Sequence, residues 1–151
     1  MKISKPTMVS RRHVFILCLC SFFLSAAAPA LSSKEIIFIA NSSVSIETIS
    51  KNEIQQIFIG EKITWSSTQQ IELCILTKSD PLNQFLKTYT EMNSIKFKRH
   101  WKRILFTGRG TFPKFFKNES EIINYVSKTE GAIGFISALP EKVDVQVITP
   151  R

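Results

Sequence analysis

Ligand chemistry in this sequence would have to come from two short stretches. The first is Thr107-Gly108-Arg109-Gly110-Thr111, where two of the chain's five glycines bracket an arginine. Glycines let backbone N–H groups turn toward a bound anion, and an arginine among them adds a fork of donors. The second is Ser79-Asp80-Pro81, which follows an apolar run and reads as a helix start. A helix N-terminus carries N–H groups without intrahelical acceptors, so it too attracts anions. In the first stretch, Arg109 and Thr111 are therefore candidate ligand-binding residues. A plainer reading stands beside each: Ser79 and Asp80 as helix caps, and the glycine loop as a turn with a solvated Arg109.

Catalytic chemistry finds little support. Past residue 30, His100 is the only histidine and Cys74 the only cysteine. Neither sits in a nucleophile–base pairing or a metal-ligand spacing, so a non-enzyme without metal or cofactor is expected. Cys74 lies in the apolar run 71–76 and should be a buried, structural thiol. Segment 94–103 interleaves Phe97 and Trp101 with lysines and arginines, a pattern that nucleic-acid binders also use.

The first thirty residues argue against a nucleic-acid partner, because they read as an export signal. Lys2, Lys5, Arg11 and Arg12 precede an apolar run at 14–24, which is too short to span a bilayer comfortably. Ala28 and Ala30 stand in A-x-A register, and Pro29 disfavours cutting after Ala28, which places cleavage after Ala30. Ser10-Arg11-Arg12 resembles a twin-arginine signal, while Ile16 in place of the usual lysine favours general secretion. The leader holds four of the twenty basic residues and no acids, so the net charge falls from +8 to +4, sixteen basic against twelve acidic. An exported, periplasmic protein is expected, with residues 31–151 as one domain able to bury a core.

Alternating strand and helix signals must position the candidate residues. The β-branched run 35–40 and the apolar run 71–76 read as strands covered on both faces. Ser50 with Glu53 predicts a capping box, and Ile49 with Ile54 a hydrophobic staple, for a helix ending near Gly60. Asp80 as N-cap and Pro81 as first residue predict a helix presenting Leu82, Phe85, Leu86 and Tyr89 on one face. A third helix opens at Ser94, with Phe97, Trp101, Ile104 and Leu105 inward and Lys98, Arg99, Lys102 and Arg103 outward. Asn118 and Glu121 cap a fourth bearing Ile122, Ile123 and Val126. Residues 130–136 turn into a strand, and Val143, Val145 and Val147 alternate along a final edge strand. The fold class is α/β.

Two of these segments resemble the phosphate-binding proteins of phosphate ABC transporters. Ile49 to Gly60 followed by Trp65 matches that family's Leu/Ile-Ser-x-x-Glu-Ile-x-x-Ile-Phe-x-Gly pattern. Glu130-Gly131-Ala132-Ile133-Gly134-Phe135 stands where the family reads Pro-Gly-Ala-Ile-Gly-Tyr. The resemblance implies a single type-2 periplasmic-binding-protein-like lobe, a mixed β-sheet flanked by helices. It also implies a solute-binding-type protein for phosphate or a similar small oxyanion, working with an ABC transporter permease. The resemblance centres the anion site on Ser79, retained from the family's Ser-Gly-Thr, and makes Ser79 and Asp80 candidate ligand-binding residues. Asp80 and Pro81 replace that motif's other two residues, and Ile75 and Leu76 stand where the family's arginine falls. One lobe makes half a cleft. The alternative is therefore an envelope interaction module that kept the fold without the ligand, acting as a homo-oligomer or with a partner protein through the basic segment 96–103.

Overall fold

A run as apolar as 35–40 must be covered on both faces, and it is. In chain order the elements are β1 (Ile37–Ala40), β2 (Thr48–Ile49), α1 (Lys51–Phe58), β3 (Glu72–Leu76), α2 (Ser79–Phe85), α3 (Ser94–Thr107), β4 (Lys114–Phe116), α4 (Glu119–Lys128), β5 (Ala132–Ile136) and β6 (Gln146–Pro150). They build one six-stranded sheet in the order β2-β6-β1-β5-β3-β4. β1 is antiparallel to β5 and β6, while β3 is parallel to both β4 and β5, so the sheet is mixed as the resemblance implies. The computed structural model describes residues 35–77, 79–108 and 112–151, which belong to one compact unit, Ser33–Arg151. At Ser79 only the backbone is described, and the leader 1–30 lies outside the described residues.

Side chains alternate across the sheet and meet helices on both faces. On one face Phe38 and Phe135 meet Phe58 of α1 and Phe85 of α2, with Phe85 stacked on Phe135 at 4.3 Å. Fully burying one such ring stabilises by about 1.5–3 kcal/mol. On the other face Ile122 of α4 is buried beside Gly134 and Cys74, so close that a Cβ on Gly134 would lie 3.0 Å from Ile122 Cγ2. That tight approach of α4 to the sheet explains the second glycine of the segment 130–135.

Helix starts form largely as the sequence predicts. Ser50 Oγ accepts from Glu53 N at 3.1 Å, Asn93 Oδ1 from Lys96 N at 2.9 Å, and Asn118 Oδ1 from Glu121 N at 2.9 Å. The predicted capping box at α1 departs from pattern on one side. Glu53's carboxylate pairs with the Lys62 ammonium, which supplies a full charge that a backbone N–H does not. The loop at 41–43 is also tighter than expected. Buried Asn41 donates from Nδ2 to the Val126 carbonyl at 2.8 Å and the Ser127 carbonyl at 3.2 Å, closing the C-terminal turn of α4.

Several expectations are corrected. α2 begins at Ser79, so Asp80 lies in its first turn instead of capping it. Pro81 is tolerated there because first-turn N–H groups have no intrahelical acceptor anyway. α2 then widens into a π-helical turn, Leu86–Thr90, ended by Glu91 with a left-handed φ of 56°. The last strand starts at Gln146 and is not an edge strand, because the two-residue β2 pairs outside it. Its inward residue is Ile148, whereas Val147 is exposed. Leu105, expected inward, is 55% exposed in the last turn of α3.

Candidate functional site

Because β3, β4 and β5 run parallel, their C-terminal ends share one edge of the sheet, and helices leave from it. Open α/β sheets bind ligands at this kind of edge. β3 delivers the chain there as a buried run ending in Ile75 and Leu76. Thr77 then fastens it to the neighbouring strand, its N–H and its Oγ1 donating to the Phe116 carbonyl at 2.8 and 2.9 Å. Two residues later α2 starts, with Ser79 in its first position and Asp80, exposed, in its second.

The same edge is rich in carboxylates. α4 begins beside the end of β5, and Glu119 accepts from Ser137 Oγ at 2.6 Å and from Ala138 N at 3.2 Å. Glu121 Oε2 accepts from Lys117 N at 3.1 Å. The start of α4 is thus supplied with negative charge by its own chain, which suits the helix dipole and leaves less attraction for a ligand anion. Leu76 is buried where the resemblance would have an arginine, and Asp80 adds a further carboxylate at the start of α2.

A hollow of about 590 Å³ opens at this edge between the start of β1, the end of β6 and the helix after β3. Glu35, Gln84, Thr88, Tyr89 and Thr149 bring its polar groups. Burial, and secondarily the charge of Glu35, pushes the Tyr89 hydroxyl above its ordinary value. Sequence reasoning missed this hollow because its walls come from three segments far apart in the chain.

Arg109 and Thr111 lie outside the described residues, as does the side chain of Ser79. The residues flanking the loop are described. Gly108 ends α3 with φ 65°, its N–H donating to the Leu105 carbonyl at 3.3 Å. Phe112 meets Trp101 at 6.3 Å and Phe115 at 5.4 Å, leading into β4 at Lys114, which is in register with Cys74. These flanks approach the starting end of the parallel pair, whereas Ser79 follows its finishing end.

Ring nitrogens of three side chains hold elements together. The Trp101 indole Nε1 donates to the Phe58 carbonyl at 3.2 Å, and His100 Nε2 lies 2.7 Å from the Ile59 carbonyl. The C-terminal carbonyls of α1, which lack intrahelical donors, are thereby engaged by side chains of α3. Trp65 Nε1 donates to the Gly131 carbonyl at 2.8 Å, pinning the turn before β5. Cys74 is buried, and desolvation, with a smaller contribution from Glu72, pushes its thiol up to about 12. It is inert as a nucleophile at neutral pH. Among the described residues, no group of three or more His, Cys, Asp or Glu side chains comes together as a metal site would require.

No protein-family model matches the chain, and no curated protein matches it significantly by sequence. Solved structures do match its fold. A protein from Clostridium perfringens, described as a phosphate ABC transporter substrate-binding protein with bound phosphate, superposes with a TM-score of 0.60 at 14% identity. The match covers 76% of this chain and 44% of that one. PstS from Borrelia burgdorferi gives 0.57 at 16% identity, covering 77% and 47%. An ABC-type phosphate transport receptor from Vibrio cholerae gives 0.51 at 13%, covering 76% and 45%. The chain spans less than half the length of each of these proteins. The chain shares its α/β fold, a mixed sheet flanked by helices, with part of each of these proteins.

Proposed function

We propose that this chain is an exported solute-binding-type protein whose ligand, phosphate or a similar small oxyanion, is met at the start of α2. The reading rests on one observation: the sheet order and the helix leaving β3 build the fold shared with three phosphate-transport proteins. Cleavage after Ala30 releases the domain 31–151 to the periplasm, where an ABC transporter permease would take the ligand. Ser79 and the first N–H groups of α2 contact the oxyanion; Arg109 and Thr111 are left out of this contact, because the flanks of their loop approach the opposite end of β3 and β4. Asp80 accepts a proton-bearing oxygen, which monohydrogen phosphate has and sulfate lacks. Calorimetry of residues 31–151 with phosphate and with sulfate tests this. Heat with phosphate and none with sulfate supports it, and silence with both at millimolar concentration sinks it.

A second reading is favoured by Leu76 and Asp80 themselves. A buried leucine supplies no countercharge, and two like charges about 4 Å apart repel by about 1 kcal/mol even in water. On that reading the lobe is an envelope interaction module, working as a homo-oligomer or with a partner protein. A monomer in sedimentation and no partner recovered from envelope extracts would count against it.

A further inference from the structure

Helix α3 presents a basic outer face. Along its 14 residues it carries no acid, and Lys98, Arg99, Lys102 and Arg103 all point outward in two successive turns. Among the described residues none of these four is in an ion pair. The row ends in apolar side chains held out in solvent: Leu105 is 55% and Phe106 86% exposed. Phe112 and Phe115, also exposed, pack against each other at 5.4 Å, with Phe112 against Trp101 on the same helix. A solvated helix face explains the cations but not a projecting phenylalanine at the end of their row. Exposed aromatic side chains beside unpaired cations fit an interface that is negatively charged at its surface and apolar just beneath.

We propose that this face docks on an anionic lipid bilayer, the cations of α3 lying against lipid phosphates while Phe106 enters the boundary between headgroups and acyl chains. Charge complementarity selects the occupant. A second copy of this chain brings the same acid-free row and a net positive charge, so two such faces repel. A bilayer brings a continuous sheet of phosphates and, below it, a place for a phenyl ring. The contact is peripheral: the outward face of the helix carries the charge, and its own apolar side, Phe97 and Trp101, stays in the protein core.

The unit Ser33–Arg151 contains every described element, so the test uses it without the apolar run 14–24, which would enter bilayers by itself. The protein is sedimented with vesicles of phosphatidylglycerol mixed with phosphatidylcholine, and with phosphatidylcholine alone. Binding to the mixed vesicles only, released at high salt, is expected. Lys102→Glu with Arg103→Glu should weaken it at least about tenfold, since each cation near an anionic surface contributes about fivefold. Phe106→Ser should weaken it by about fivefold or more, with an unchanged melting temperature, because the ring makes no core contact. Equal partition onto both vesicle types, or a double variant that binds as the parent does, overturns the proposal. So does a salt-sensitive dimer or an acidic protein partner in the absence of vesicle binding.

Discussion

A Cβ placed on Gly60 would lie 2.8 Å from Cη2 of Trp101, the residue whose indole N–H is already committed to the Phe58 carbonyl. Gly60 also turns the chain at φ 76°, where side chains are rarely accommodated. The end of α1 and the middle of α3 are therefore fitted to each other at backbone level. Gly60→Ala should cost about 2–4 kcal/mol, combining the left-handed backbone with displacement of a packed ring. Urea unfolding measures it, and a change under 1 kcal/mol would contradict the fit.

Trp101→Phe keeps most of the ring but removes the donor. The Phe58 carbonyl then loses a partner in a buried setting, which costs about 1–3 kcal/mol. A larger loss than in Trp65→Phe is expected, because Trp65 is only partly buried while Trp101 is buried. Equal losses would show that burial does not set the difference.

Asn41→Ala removes the side chain that closes the last turn of α4. Two carbonyls, those of Val126 and Ser127, lose their amide donor, and the Ser43 N–H loses the oxygen that accepts it at 3.0 Å. A destabilisation of about 2 kcal/mol or more is expected. Hydrogen exchange should localise the loosening to α4, and uniform exchange across the sheet would contradict the assignment.

Cys74 makes a pH prediction. Its thiol ionises near 9.0 when exposed and is pushed up to about 12 in the fold, so the folded chain holds the proton where the unfolded chain releases it. Its contribution to stability is complete below pH 9 and is lost as pH rises from 9.0 toward about 12. Cys74→Ala should flatten the alkaline fall in stability across that window. Thiol reagents should label Cys74 only at the rate of unfolding, and fast labelling of the native protein would refute burial.

Much of this was legible because local rules carried it. Ser50, Asn118 and Gly60 sit where backbone geometry demands their types, and 71–76 is apolar because both sheet faces are covered. β4 was missed: three residues, two of them exposed, give no periodicity to read. The alternation of Val143, Val145 and Val147 predicts an earlier strand at the edge, yet β6 pairs through a register that buries Ile148. Edge position depends on β2, a pairing made across about a hundred residues of chain that no local pattern announces. At the β3–α2 junction the helix start was legible, because Asp80-Pro81 marks it. The carboxylates beside it were not, because Glu119 reaches that edge only through the sheet.

Asp80 gives the sharpest variant for the proposed ligand. Asp80→Asn removes the proton acceptor, so phosphate should bind more weakly and the discrimination against sulfate should narrow by at least about fivefold. Loss of phosphate binding together with a lowered melting temperature would assign Asp80 a structural role in α2 instead.

The central claim is tested most directly by isothermal titration of residues 31–151 with phosphate, alongside the Ser79→Ala variant. The account predicts saturable heat with phosphate, a raised melting temperature, and a loss of about tenfold in affinity in the variant. No heat and no thermal shift at millimolar phosphate would contradict it and leave the lobe as an interaction module.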